Sequence, residues 1–284
     1  MDRQGQAWVG TSGWLYPRWR GDFYPEGLRQ RDELAYLAGR VTSIEVNASF
    51  YSLRRPSTYA AWRSAVPDGY PLAVKGGRFV THLKRLRGVE TGLANFFASG
   101  PLALGPSLGP ILWQLPEWVE FDATLVRDFL DLLPRTTTAM AALARRHDDK
   151  LTDDRVLTKP GTHRPVRHAL EPRHASFDTD EARALLRDED VAMVHADTAG
   201  RFPTIGDGTA SFHYVRLHGE RRLYGGGYSD ATLESWAERL HRWTASGEDA
   251  YVYFDNDADG RAPYDAVRLI DLLGDRATAA APTP

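Results

Sequence analysis

The chain has 284 residues, 42% hydrophobic and 26% charged, so its composition is that of a globular protein and excludes a disordered or fibrous one. Its formal charge of -3 excludes the overall basic excess that nucleic-acid-binding proteins usually show, so such binding would need a local basic cleft. Because there is no cysteine, disulfides, thiolate catalysis and Cys-ligated metal sites are excluded, which fits a reducing compartment.

The N-terminal residues 1–6 are polar and lead directly into a strand-like run, which leaves no room for a signal peptide. No apolar run approaches the roughly 20 residues that a membrane span needs. We therefore expect a cytoplasmic protein without membrane contacts. The sequence leaves its oligomeric state open.

Eight short runs rich in apolar, β-branched or aromatic residues alternate with helical stretches. The predicted strands are residues 8–12, 43–47, 72–75, 110–114, 166–171, 191–197, 213–218 and 250–255. The predicted helices include residues 31–38, 59–65, 91–99, 123–132, 179–187 and 232–246.

This alternation indicates parallel strands joined by crossovers. Eight such units favour an α/β fold closed as a (β/α)8 TIM-type barrel, and an open doubly wound sheet is the alternative. We expect a single barrel domain over residues 1–274 and a disordered tail over residues 275–284.

Polar or charged residues end nearly every predicted strand, which is where a barrel binds its ligands. Candidates for acid/base catalysis are Glu45, Glu171, Asp197, His174 and His218. Candidates for holding an anion are Lys75, His82, Arg173 and Arg216. The two arginines present planar forks that match carboxylate or phosphate oxygens. The alternative is a buried ion-pair network that closes the barrel without binding a ligand.

Further ligand-binding candidates lie at the strand ends or in the loops that follow. They are Ser12, Trp14, Asn47, Tyr51, Gln114, Tyr224, Gly226 and Asn256. The run 224–228 contains three consecutive glycines, whose amides can approach a phosphate after the seventh strand of a barrel; a flexible turn is the alternative. Loop aromatics either stack on a ligand or plug the barrel end. Ser12 lies outside any Gly-x-Ser-x-Gly elbow, which gives nucleophilic catalysis little support.

Metal binding is a separate hypothesis. The carboxylates and imidazoles that would form such a site are Glu45, His82, Glu171, His174, Asp197 and His218. None of them has the tight spacing of a zinc motif, so we predict no cofactor and keep a divalent metal as the alternative. The run Asp255-x-Asp257-x-Asp259 matches the opening of a calcium loop, but Ala266 stands where the bidentate glutamate is needed. We interpret it as a solvated turn.

Taken in order, these segments resemble the YecE-like family, a domain of unknown function with a TIM-type barrel, over nearly the whole chain. The resemblance rests on Gly10-Thr11-Ser12-Gly13-Trp14, Tyr16, Trp19, Gly21, Phe23-Tyr24-Pro25, Glu45-Val46-Asn47, Phe50-Tyr51, Lys75, Thr81-His82, Gln114-Leu115-Pro116, Glu171-x-Arg173-His174, Tyr214-Val215-Arg216-Leu217-His218-Gly219, Tyr251-Val252-Tyr253-Phe254 and Asn256. The family usually has Asn at Asp255, Pro at Glu117, Thr at Ser49 and Trp at Phe177. The resemblance implies the barrel and no particular activity.

The sequence favours an enzyme that uses acid/base residues at the barrel mouth on a small anionic ligand, phosphate-containing or nucleotide-like. A hydrolase acting on phosphoesters is the enzyme class considered. Two alternatives remain: a non-catalytic nucleic-acid-binding module, in which basic and aromatic loops grip a strand, and a metal-dependent phosphodiester hydrolase.

Overall fold

The polypeptide alternates strands and helices over its length. A computed structural model describes residues 4–206 and 208–274. The strands are β1 (Ala7–Ser12), β2 (Ser43–Val46), β3 (Leu72–Lys75), β4 (Leu108–Gln114), β5 (His168–Glu171), β6 (Val191–Met193), β7 (His195–Asp197), β8 (Phe212–Leu217) and β9 (Asp249–Phe254). The α-helices are α1 (Glu33–Ala38), α2 (Ala48–Tyr51), α3 (Pro56–Ser64), α4 (Glu90–Ala98), α5 (Ala123–Asp131), α6 (Thr137–Ala144), α7 (Asp180–Asp188), α8 (Asp230–Ala245) and α9 (Ala262–Leu273).

The chain divides into two compact units. The first consists of Met1–Glu45 with Ala192–Pro284, and the second of Val46–Val191. The predicted single domain over residues 1–274 stays a prediction, and the predicted tail over residues 275–284 lies outside the described part of the chain.

In the first unit, parallel strands lie in the order β2, β1, β9, β8, β7. Ser12 is opposite Glu45 in the β1–β2 register, and Asp197 is opposite Leu217 between β7 and β8. All residues of β8 and β9 are buried, as expected of parallel strands covered on both faces. Helices α8 and α9 pack against each other, and α9 also packs on β1.

In the second unit, β4 pairs in parallel with β3 on one side and with β5 on the other. The β4–β5 register sets Gln114 opposite Glu171, so both polar side chains stand at the carboxyl ends of their strands. Helix α4 packs on α6, and α5 on α7. β3 and β4 are apolar until their last residues, Lys75 and Gln114. β5 begins with the buried His168 and ends with Glu171.

The fold class predicted from the sequence, an α/β barrel of TIM type with parallel strands, is confirmed. The predicted sixth strand, residues 191–197, is two short strands that Val194 separates. The amide of Met193 donates to the hydroxyl of Thr209 at 2.8 Å, which diverts a donor from strand pairing. Helices α2, α6 and α9 were not predicted. Helix α9 opens on Pro263, which is favourable in a first turn.

Candidate functional site

A buried arginine of the first unit is surrounded by hydrogen-bonding side chains at the ends of β1, β2 and β8. We call Ser12, Glu45, Tyr214, Arg216, His218 and Asp255 the Arg216 network. Arg216 Nε donates to Glu45 Oε2 at 3.1 Å and Nη2 donates to Glu45 Oε1 at 2.9 Å, which is a bidentate pair. Nη2 also lies 2.8 Å from Ser12 Oγ and 3.0 Å from Asp255 Oδ2. The predicted anion clamp thus faces two carboxylates of its own chain.

Glu45 accepts four hydrogen bonds. Its Oε1 receives Ser12 Oγ at 2.5 Å and Arg216 Nη2, and its Oε2 receives Tyr214 OH at 2.6 Å and Arg216 Nε. A carboxylate offers about four lone-pair sites, so the donors of the chain fill them all. This geometry favours Glu45 as the anchor of Arg216. Its predicted role in proton transfer stays a prediction.

His218 is fully buried beside Arg216. Its Nε2 lies 3.2 Å from Arg216 Nη1, and its Nδ1 lies 2.9 Å from Asp255 Oδ2. Because a guanidinium can only donate, Nε2 is the acceptor in its contact with Arg216. The short contact between Nδ1 and Asp255 lacks the geometry of a hydrogen bond. The catalytic role of His218 stays a prediction.

Asp197, at the end of β7, is half-buried. Burial raises its pKa above the ordinary value, and the charge of Glu220 adds to the rise. A carboxyl group with a raised pKa keeps its proton closer to neutral pH, which suits a general acid. The acid/base role of Asp197 stays a prediction.

The triple-glycine loop after β8 already binds an anion from its own chain. The amide of Gly226 donates to Asp259 Oδ2 at 2.8 Å, and its carbonyl accepts from Asn256 Nδ2 at 2.7 Å. Asn256 is fully buried, and its Nδ2 also donates to Asp265 Oδ2 at 2.8 Å. Tyr224 packs edge-to-face on His218, with ring centroids 5.4 Å apart. The contacts of Gly226 and Asn256 thus shape the loop, and ligand binding by all three predicted residues stays a prediction.

The acidic turn after β9 is only partly solvated. Asp259 is exposed and pairs with Arg222, as interpreted. The carboxyl oxygens of Asp257 are instead buried, close to Tyr16 and Trp19, so the interpretation was wrong for this residue. Burial, together with the charge of Asp255, raises the pKa of Asp257 well above its usual value.

The second unit carries a separate group of polar side chains at the ends of β3, β4 and β5. We call Phe50, Lys75, His82, Gln114, Glu171 and Arg173 the Lys75 cluster. Lys75 is the last residue of β3 and is buried, with its Nζ 4.5 Å from the ring centroid of Phe50. Such a cation over an aromatic face is electrostatically favourable. The hydroxyl of Ser49 donates to the Lys75 carbonyl at 2.7 Å and fixes the end of the strand.

His82 stands edge-on to Phe50, with ring centroids 5.0 Å apart. Its Nδ1 lies 2.9 Å from Thr81 Oγ1, which orients the ring. Partial burial and the positive charges of Lys75 and Arg173 lower the pKa of His82, the negative charge of Glu171 opposes them, and the resulting pKa is about 4. His82 is therefore a neutral imidazole at pH 7.

Glu171, the last residue of β5, is fully buried and held by two donors. Gln114 Nε2 donates to its Oε2 at 2.8 Å, and Arg173 Nε donates to its Oε1 at 3.1 Å. Arg173 itself is mostly buried, with its side chain 13% exposed. Gln114 thus orients the carboxylate of Glu171, and this carboxylate fixes the position of the Arg173 guanidinium.

The other predicted site residues of the second unit lie at the ends of short helical segments. His174 Nδ1 accepts from the amide of Ser176 at 3.2 Å and caps the turn Ala175–Phe177, so this ring acts on its own backbone. Asn47 precedes α2, and Tyr51 is 64% exposed at the end of that helix. In the first unit Trp14 is 6% exposed, which agrees with a plugging aromatic. Catalysis by His174 and ligand contacts by Asn47, Tyr51 and Trp14 stay predictions.

Sequence reasoning missed Tyr214 and Thr81 as site residues. Tyr214 precedes Arg216 by two positions, and the strand period of two puts both side chains on one face of β8. That spacing was the available signal. Thr81 lies in a π-helical turn, Phe79–Leu83, which was not predicted and which no local pattern announced.

The described residues, 4–206 and 208–274, hold no group of three or more His, Cys, Asp or Glu side chains placed to bind a metal ion. Nor do they contain a helix with the length and hydropathy required to traverse a lipid bilayer.

The fold and the strand ends define a class of protein: a TIM-type barrel with charged side chains at the carboxyl ends of its strands. The chain belongs to the family described as "Protein of unknown function DUF72", whose model matches residues 8–284. This confirms the resemblance to the YecE-like family, which is the same family.

Crystal structures of two members of the family have similar folds. A DUF72 family protein from Thermotoga maritima is 23% identical, with a TM-score of 0.72, over 94% of this chain and 99% of that one. A DUF72 family protein from Enterococcus faecalis is 12% identical, with a TM-score of 0.70, over 94% of this chain and 95% of that one. No curated protein matches the chain.

Proposed function

We propose that this protein is an enzyme that binds a phosphate-containing anion at the Lys75 cluster and transfers protons there. The observation that carries the proposal is an imbalance of charge. Lys75 and Arg173 bring two positive charges to the cluster, Glu171 brings one negative charge, and His82 is neutral at pH 7. A mostly buried excess of positive charge is electrostatically favourable for an anion.

The Arg216 network does not have this imbalance. There Arg216 stands against the carboxylates of Glu45 and Asp255, whose oxygens its guanidinium already contacts. An added phosphate would meet uncompensated negative charge. The proposal therefore assigns the anion to Lys75 and Arg173, and gives Arg216 a structural role.

His82 is the proposed proton carrier. Its Nδ1 is occupied by Thr81, and its Nε2 has no hydrogen bond to any residue that the structure describes. An anion bound beside the ring would favour the imidazolium and raise the pKa of His82 from about 4 toward neutral pH. In phosphoester hydrolysis, Nε2 would take a proton from the attacking water and return it to the leaving oxygen, so protons balance over the turnover.

Replacing Lys75 with methionine is expected to weaken the binding of inorganic phosphate by roughly 10- to 100-fold, because one charge-assisted hydrogen bond is lost.

Replacing His82 with glutamine should leave phosphate binding within a few-fold and reduce phosphoester turnover by about 10²–10⁴-fold. Isothermal titration calorimetry with phosphate measures the affinity. Assays with a panel of phosphomonoesters and diesters measure the turnover. The matched control is Lys159→Met, since Lys159 is exposed.

Absence of both phosphate binding and phosphoester turnover in the unmodified protein would overturn the proposal. Oligonucleotide binding that falls steeply with salt, without turnover, would instead favour the nucleic-acid-binding alternative.

A further inference from the structure

A groove of about 590 Å³ lies beside the Lys75 cluster in the second unit. We call it the aromatic groove and define it by Phe50, Tyr51, Arg78, Phe79, Lys84 and Gly92, which all line it. Its volume is in the range of small-molecule sites, about 300–1,000 Å³. None of the sequence predictions placed a cavity here.

The walls of the aromatic groove expose rings to solvent. Tyr51 is 64% exposed and Phe79 is 44% exposed, although burying a ring is favourable. Phe50 and Tyr51 meet edge-to-face, with centroids 5.1 Å apart. Exposed rings that border one cavity suit the stacking of a planar group.

The rim of the groove is cationic. Lys84 Nζ lies 5.9 Å from the ring centroid of Phe79, and neither Lys84 nor Arg78 forms an ion pair among the residues that the structure describes. Lys150 is compensated by Asp148, with Nζ 3.6 Å from Oδ2. The groove thus carries uncompensated positive charge around aromatic walls, which is complementary to an aromatic anion.

Gly92 of α4 packs against the ring of Phe79. A Cβ at this position would be 2.9 Å from two ring carbons of Phe79, closer than real Cβ contacts come. Glycine inside a helix costs about 1 kcal/mol relative to alanine, so the helix itself does not favour it. Its small size allows the ring of Phe79 to lie against α4 and to form one wall of the groove.

Phe50 joins the groove to the Lys75 cluster. Its ring lines the groove, and Lys75 Nζ lies over the same ring, 4.5 Å from its centroid. We infer that the groove holds a planar aromatic ring and the Lys75 cluster the phosphate of the same molecule, so that the substrate class is the nucleoside phosphates. This inference rests on the proposed function and deepens it by naming the second half of the ligand.

The test compares adenosine 5′-monophosphate with inorganic phosphate by calorimetry on the full chain. The nucleotide is expected to bind at least roughly tenfold more tightly than phosphate. Phe79→Ala is expected to remove most of that difference and to leave phosphate binding unchanged, since base–aromatic stacking is lost. Trp118→Ala is the matched control, because Trp118 is an exposed aromatic, 57% exposed, that does not line the groove.

Gly92→Ala separates binding from folding. The added methyl group should displace Phe79 and weaken nucleotide binding by roughly fivefold or more, whereas alanine in α4 should keep or raise the thermal midpoint. A merely destabilising change would lower both.

Four results would overturn the inference. Equal affinities for nucleotide and phosphate would do so while leaving the proposed function intact, as would equal losses of both affinities in Phe79→Ala. Binding of an oligonucleotide without binding of the mononucleotide would point to a macromolecular ligand instead. If neither phosphate nor nucleotide binds, the proposed function fails together with the inference.

Discussion

Replacement of Arg216 by methionine is expected to lower the free energy of unfolding by about 3–5 kcal/mol. Arg216 is 1% exposed and Glu45 is 0% exposed, so removal of the guanidinium leaves a buried carboxylate without its cation. Asp255 loses the same partner. Urea denaturation followed by tryptophan fluorescence measures the change.

The control for this variant is Arg29→Met. Arg29 pairs with Asp32 at 2.8 Å, but both side chains are solvent-accessible, and such surface pairs contribute about 0–1 kcal/mol. A second variant, Arg216→Met combined with Glu45→Leu, should recover part of the loss, because it removes the buried charge together with its partner. Equal destabilisation by Arg216→Met and Arg29→Met would contradict the structural role of Arg216.

Acid is expected to destabilise the protein through two buried histidines. Burial lowers the pKa of His168 to about 3 and that of His195 to about 3. Between pH 6.5 and 3 the unfolded chain binds protons at these rings that the folded chain does not, so stability falls as pH falls. At pH 4 each ring accounts for about 3 kcal/mol of this loss.

His168→Gln should show a shallower decline in stability between pH 6.5 and pH 4 than the unmodified protein, whatever its stability at pH 7. Burial is the main reason why the folded ring of His168 stays neutral. Trp113 Nε1 donates to its Nδ1 at 3.2 Å, which leaves no place for a proton on that nitrogen, whereas the Pro134 carbonyl, 2.9 Å from Nε2, raises the pKa and opposes the effect of burial in part. Urea midpoints at half-unit pH intervals give the slope. His241→Gln, on the exposed face of α8, should change nothing, and identical slopes for all three proteins would refute the assignment.

The strands could be predicted well because parallel strands buried on both faces are short continuous apolar runs. β3 has the bounds predicted for it, Leu72–Lys75. The break at Val194 could not be predicted, because it depends on Thr209, which accepts from Met193 across a loop. Helix α6 was missed because two threonines, Thr137 and Thr138, begin it after the capping Thr136, and β-branched side chains disfavour helix in isolation.

The sequence predicted which residues lie at the site, but not which of them pair with one another. Glu45, Lys75, Glu171 and Arg216 all stand at or near strand ends, as the strand pattern indicated. Which carboxylate meets which cation depends on contacts between distant segments, and no single sequence specifies them. Arg173 and Arg216 looked equivalent as anion clamps. Their surroundings separate them: Arg216 contacts Glu45 and Asp255, and Arg173 contacts Glu171 beside Gln114.

The pairing of Arg216 with Glu45 also has a kinetic consequence. The two residues are 171 positions apart in the chain, so the pair can form only after β1, β2 and β8 have assembled. We expect contacts of such long range, made by side chains that must first lose water, to form late in folding. The network should therefore slow unfolding and leave the folding rate almost untouched, so that Arg216→Met shortens the lifetime of the native state in stopped-flow experiments.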